Sequence, residues 1–122
     1  MLDDSILEDI LSLLDTPNAG DAFKNDVMIF INSVFPILTQ LGIGPSDGFQ
    51  ITGFKETWSD FLGDDKGLAG IRQYIFMKVK LVFDPPQSSF VLEAFNKMIS
   101  EYEWRGLVEV ETPSFGGKNP LE

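Results

Sequence analysis

Four stretches of this sequence carry apolar residues at the three- and four-residue spacing of an amphipathic helix, and the first three end at proline or glycine. These stretches are 3–15, 21–41, 68–83 and 88–107. The last two are separated by Asp84-Pro85-Pro86, because a proline pair cannot continue a helix. The pattern predicts an all-α protein, a small bundle of about four helices.

The segment between the second and third helices, about 42–66, has a different pattern. Glycine and proline interrupt it repeatedly, and Phe49-Gln50-Ile51-Thr52 alternates weakly between apolar and polar residues. We expect a β-like or irregular insertion here, with a short strand or hairpin arm. Residues 57–62 fit one helical turn within it.

The C-terminal end is predicted to leave the bundle. Val108-Glu109-Val110-Glu111 alternates in a way that is typical of a short strand, and the prolines and glycines beyond it exclude regular structure. The chain is therefore expected to divide into a helical domain, 1–111, and an extended arm, 112–122. The arm is either a frayed terminus or a segment that becomes ordered on a neighbouring protein, with Phe115 as its anchor.

Composition excludes most catalytic chemistry. The 122 residues include no cysteine and no histidine, so disulfides, cysteine nucleophiles, Ser-His-Asp triads and His-ligated metals are excluded. Glu101 and Glu103 lie two apart on a predicted helix and point in different directions, so they do not form an acid–base pair. The aspartates around Gly63 lack the calcium-loop spacing. We expect no enzyme, no bound metal and no cofactor.

The chain is strongly acidic, with 19 acids against 9 bases and a net charge of −10. This balance argues against general nucleic-acid binding, which requires a basic surface. The N-terminus is acidic, unlike that of a signal peptide, and no stretch of about 18 residues is apolar throughout. We therefore expect a soluble protein made in a cytoplasm, without a membrane partner.

One segment, 66–84, is basic in contrast to the rest of the chain. It holds four bases against one acid: Lys66, Arg72, Lys78 and Lys80 against Asp84. Two interpretations remain open. These cations either pair with the acidic first half of the same chain or form a face that meets an acidic neighbouring subunit or DNA.

Large apolar residues also lie away from the predicted core stripes. Phe90 and Trp104 fall off the stripe of the fourth helix, on roughly the same side, and Met28 and Phe35 fall off that of the second. Core packing is the default role of large aromatic residues. Two aromatics off one stripe nevertheless indicate a second buried surface, and hence a protein partner.

The segment from Gly70 to Leu107 carries the most distinctive sequence. It combines a helix containing Ile71-Arg72-Gln73-Tyr74-Ile75, the Asp84-Pro85-Pro86 break, the helix start Ser88-Ser89-Phe90 and a closing Glu103-Trp104-Arg105. This order of elements resembles the head–tail connector (adaptor) family of siphophages. The resemblance covers these residues well and the all-helical layout loosely.

The resemblance implies a structural virion protein located at the neck, the head–tail junction, and made in the cytoplasm of the bacterial host. It implies a ring of about twelve copies that docks on the portal protein. Such a ring extends the DNA channel, lets DNA pass without specific binding, and offers a platform to a stopper or tail protein. The residues predicted to contact other subunits or the portal are Met28, Phe35, Arg72, Lys78, Lys80, Phe90, Trp104 and Phe115.

Two alternatives remain open alongside the connector. The first is a tail-completion or stopper protein of the same neck, which contacts the tail rather than the portal. The second is an acidic regulatory protein that mimics DNA. The mimic requires acids arrayed on one surface, and the basic residues between Arg72 and Lys80 weaken that interpretation.

Overall fold

A computed structural model describes residues 2–15, 20–64 and 66–111, the last six of them by their backbone alone. Within those residues the chain forms α-helices and no β-strand, so the all-α prediction is confirmed. The helices are α1 (Ile6–Leu13), α2 (Asp21–Gln40), α3 (Trp58–Leu62), α4 (Leu68–Phe83) and α5 (Ser89–Glu111). Residues 112–122 lie outside the described residues, so the division between domain and arm stays a prediction.

Short polar residues set the starts of two helices. Ser5 caps α1, and its hydroxyl oxygen accepts a hydrogen bond from the Glu8 N–H at 3.2 Å. Thr57 and Asp60 form a reciprocal capping box at the start of α3, which confirms a helical turn there. Helix α2 has no side-chain cap, because Gly20 occupies the cap position and Asp21 is the first residue inside the helix.

Helix α4 lies at the centre of the bundle and packs against α1, α2 and α5. Its Ile71, Tyr74, Ile75 and Val79 side chains are fully buried, whereas Val82 near its end is exposed. The side chains buried around α4 from the first two helices are Ile6, Leu7, Ile10, Leu11, Val27, Ile31, Val34 and Leu38.

The insertion is irregular between α2 and α3. The predicted strand over 49–52 is wrong, because the backbone of Ile51 pairs with a side chain rather than with another strand. The Ile51 N–H donates to Asn32 Oδ1 at 2.8 Å, and Asn32 Nδ2 donates to the Ile51 carbonyl at 2.9 Å. Gly44, at φ +81°, lies against the Phe61 ring, where a Cβ would collide with it. The insertion thus folds back onto α2 and α3.

The N-terminal residues pair with the start of α3. The Ile6 N–H donates to the Glu56 carbonyl at 3.0 Å, and the Ser59 N–H donates to the Leu2 carbonyl at 2.8 Å. A single β-bridge joins Ser5 to Thr57. These bonds fix α1 and α3 side by side.

Helix α5 continues to Glu111, past the predicted end at Leu107. The predicted short strand over 108–111 is therefore wrong. Extending an existing helix adds one backbone hydrogen bond for each residue fixed, whereas a strand needs a neighbour to pair with. A single glycine, Gly106, costs a helix only about 1 kcal/mol and does not stop it.

Replacing Asn32 by alanine tests the bond between the insertion and α2. We expect Asn32→Ala to lower the free energy of unfolding by about 1–3 kcal/mol, because the N–H and carbonyl of the buried Ile51 both lose their hydrogen-bond partner. The matched control is Asn25→Ala, an exposed residue of the same helix, which should change it by less than about 0.5 kcal/mol. Urea unfolding measures both, and equal losses would contradict this role for Asn32.

Candidate assembly interface

The outer side of α5 exposes more large apolar residues than any other described element. Phe90 is 80% exposed and Trp104 57%, with Met98 and Val91 at 43% and 37%. The helix starts three residues after Pro86, and the Ser88 hydroxyl accepts a weak hydrogen bond from the Val91 N–H. The prediction that Phe90 and Trp104 lie away from the core therefore agrees with their exposure. Large exposed aromatics on one helix are typical of a protein-binding surface.

The inner side of α5 packs against α4 through few buried groups. Ile99 is its one buried side chain among residues 89–105, with Phe95 and Tyr102 half-buried. The rings of Tyr74 and Tyr102 stack at 4.7 Å, and Phe76 and Phe95 meet edge to face at 6.5 Å. Apolar burial alone therefore holds α5 less firmly than it holds the other long helices.

A polar contact supplements this packing. The Tyr74 hydroxyl donates to Glu103 Oε2 at 2.6 Å, and Lys78 Nζ reaches the same oxygen at 3.4 Å. Burial, followed by this bond to the Glu103 carboxylate, raises the pKa of Tyr74 well above its ordinary value. Tyr74 therefore stays protonated and keeps donating to Glu103 throughout the neutral and moderately alkaline range. No local sequence signal indicates this role for Glu103, since its partners lie 25 and 29 residues away.

The basic residues of α4 are paired within the chain. Arg72 forms a two-bond ion pair with Asp9, at 2.6 and 2.9 Å, and the hydrogen bond to Asp9 raises the pKa of Arg72. Lys78 pairs with Glu103, and Lys80 with Asp84 at 3.1 Å. For Arg72 this agrees with the first interpretation, an intramolecular partner in the acidic first half. Partners for Lys78 and Lys80 come from outside that half.

Asp9 also binds the most deeply buried indole of the protein. The Nε1–H of Trp58, a fully buried side chain, donates to Asp9 Oδ2 at 2.9 Å. Asp9 therefore joins α1 to both α3 and α4, and Trp58 belongs to the core. Phe61 is buried beside Phe35 and Phe49.

Three further predicted contact residues have different outcomes. Phe35 is fully buried between Phe49 and Phe61, so its placement at a surface is wrong. The insertion covers the side of α2 that the helical pattern alone leaves open. Met28 is half-buried and packs against the core. Phe115 lies outside the described residues, so its role stays a prediction.

A groove opens beside α1, and four of its nine lining residues are acids. Its walls include Asp3, Asp4 and Glu8, together with Lys24 and the half-exposed ring of Phe54. Across residues 2–15, 20–64 and 66–111, no cluster of acids has the arrangement that would hold a metal ion. In the same part of the chain, no helix has the length and apolarity that crossing a membrane requires.

Comparison with known proteins gives one match. A family described as phage connector protein matches residues 6–113, which include α1 to α5. No curated protein and no solved structure matches the chain.

Replacing Asp9 by alanine tests the link between α1, α3 and α4. We expect Asp9→Ala to lower the free energy of unfolding by about 2–4 kcal/mol, because it leaves the buried Trp58 N–H and the Arg72 cation unpaired. Its neighbour Glu8 is exposed, and Glu8→Ala should cost less than about 0.5 kcal/mol. Thermal unfolding monitored by circular dichroism compares the two. Similar stabilities for both variants would refute the link.

Proposed function

The chain belongs to the phage connector protein family, and we propose that it acts as the adaptor that docks on the portal protein. Membership confirms the resemblance that the sequence carries and gives the chain a structural role as a phage head–tail connector. The observation that carries the proposal is the extent of the match, residues 6–113, which includes every described helix.

The proposed assembly is a ring of about twelve copies at the neck of the virion. A ring requires each copy to bury surface against neighbours, and the outer side of α5 supplies exposed apolar surface through Phe90 and Trp104. We place this side against the portal or an adjacent copy. The internally paired Arg72, Lys78 and Lys80 are not needed for that contact.

The acidic charge fits a channel that DNA must pass through. A net charge of −10 per copy repels the phosphate backbone, so DNA slides without specific binding. The opposite rim of the ring would then receive a stopper or tail protein. In this proposal the chain is made in the bacterial host and resides in the assembled virion.

Binding to the portal protein of the same phage tests the adaptor role. We expect the chain to co-sediment with purified portal and to add a ring of density to one end of it in negative-stain images. Phe90→Asp and Trp104→Asp should weaken co-sedimentation by about tenfold or more, because each places a charge in an apolar contact. The control is Ile29→Asp, an exposed apolar residue of α2.

Three results would contradict this proposal. Absence of binding to the portal would overturn the adaptor role, and binding to the tail-side neck protein instead would identify a stopper. Portal binding by Phe90→Asp and Trp104→Asp at the level of Ile29→Asp would overturn the placement of the contact on α5.

A further inference from the structure

Helix α5 carries two seams with the spacing of helix packing, an apolar inner seam that packs against α4 and an outer seam of mixed character. The inner seam, with spacing of three, four and three residues, packs against α4 and consists of Leu92, Phe95, Ile99 and Tyr102. The outer seam, with spacing of four, three, four and three residues, consists of Phe90, Ala94, Lys97, Glu101 and Trp104. Alternating three- and four-residue spacing is the pattern by which one helix packs along another. The outer seam therefore has the spacing along which a second helix can pack.

No described residue covers the outer seam. Phe90 and Trp104 are its most exposed apolar members, 14 positions or about 21 Å apart along the helix axis. Lys97 and Glu101 lie between them and are also exposed. Glu101 also lies 4.0 Å from Arg105 of the same helix, and both side chains are exposed. Because the seam has one charge of each sign in its middle, a partner with the reverse order of charges fits it best.

A second copy of α5, running antiparallel, has those matching charges. With the two-fold axis at the level of residue 99, Lys97 faces Glu101 of the second copy, and this pair occurs twice. The same axis places the small Ala94 opposite the large Trp104. A parallel arrangement instead places Lys97 opposite Lys97.

We infer that the free protein associates with a second copy of itself through the outer seam of α5, antiparallel and with two-fold symmetry. Such an interface is isologous, because both copies use the same surface and every contact between different residues occurs twice. It goes beyond the proposed function, because it concerns the protein before it reaches the virion. The pair covers Trp104, which the proposed connector contact also uses, so it must dissociate before assembly.

The size of the contact predicts weak association. One helix against one helix buries less than the ~1,200 Å² of a standard stable interface, so the pair forms and separates with concentration. Two chains of net charge −10 also repel each other, and salt reduces this repulsion.

Reversing charges in the outer seam tests whether two copies associate and whether Lys97 of one copy faces Glu101 of the other. By sedimentation velocity over a concentration series, we expect the native chain to shift from monomer to dimer. Lys97→Glu and Glu101→Lys should each weaken this association by about tenfold, because each puts like charges opposite each other twice. A one-to-one mixture of the two variants should regain it, since one presents two acids and the other two bases.

Matched controls separate the seam from general charge effects. Lys55→Glu and Asp26→Lys make the same charge changes at exposed residues outside α5 and should dimerise as the native chain does. Circular dichroism verifies that all four variants fold, and regained association of the mixture shows independently that the two seam variants do. A native chain that stays monomeric throughout, or a mixture no stronger than its components, would overturn the inference. Co-sedimentation of the native chain with the portal tests the proposed function independently of self-association, so the two failures are distinguishable.

Discussion

The carboxylate of Asp9 joins elements that are distant in sequence, and the rest of the fold depends on that junction. It accepts hydrogen bonds from Trp58 and Arg72, which lie 49 and 63 residues away. Through them α1 is fixed against α3 and α4. A chain without cysteine has no covalent cross-link to do this, so packing and a few well-placed polar contacts must hold the bundle together.

Helix α5 stands apart from this junction. It contacts α4 through one buried aliphatic side chain, stacked tyrosines and the Tyr74–Glu103 bond, while its other side exposes Phe90 and Trp104. A helix with apolar residues on two sides and modest burial on one is suited to contacts between molecules. Membership of the phage connector family gives such contacts a purpose, since a connector must bind proteins on the head and tail sides.

Local sequence signals predicted the helices well and the long-range contacts poorly. The bounds of α4 agree with the prediction because Gly67 and the Asp84-Pro85 break fix both ends locally. The exposed positions of Phe90 and Trp104 also followed from helical spacing. Phe35 was misplaced because its cover comes from Phe49 and Phe61, and no periodicity reveals the path of the insertion. Asn32 was missed for the same reason, since its partner is the backbone of Ile51.

Native-state hydrogen exchange tests most directly whether α5 is a separable assembly helix on a more stable bundle. In dilute solution, we expect the amides of 93–103 to exchange through openings of clearly lower free energy than those of Ile71, Ile75 and Val79 in α4. The central amides of α1 and α2 should resemble those of α4. Equal opening free energies for α4 and α5 would show that the two helices unfold as one unit and would contradict this account.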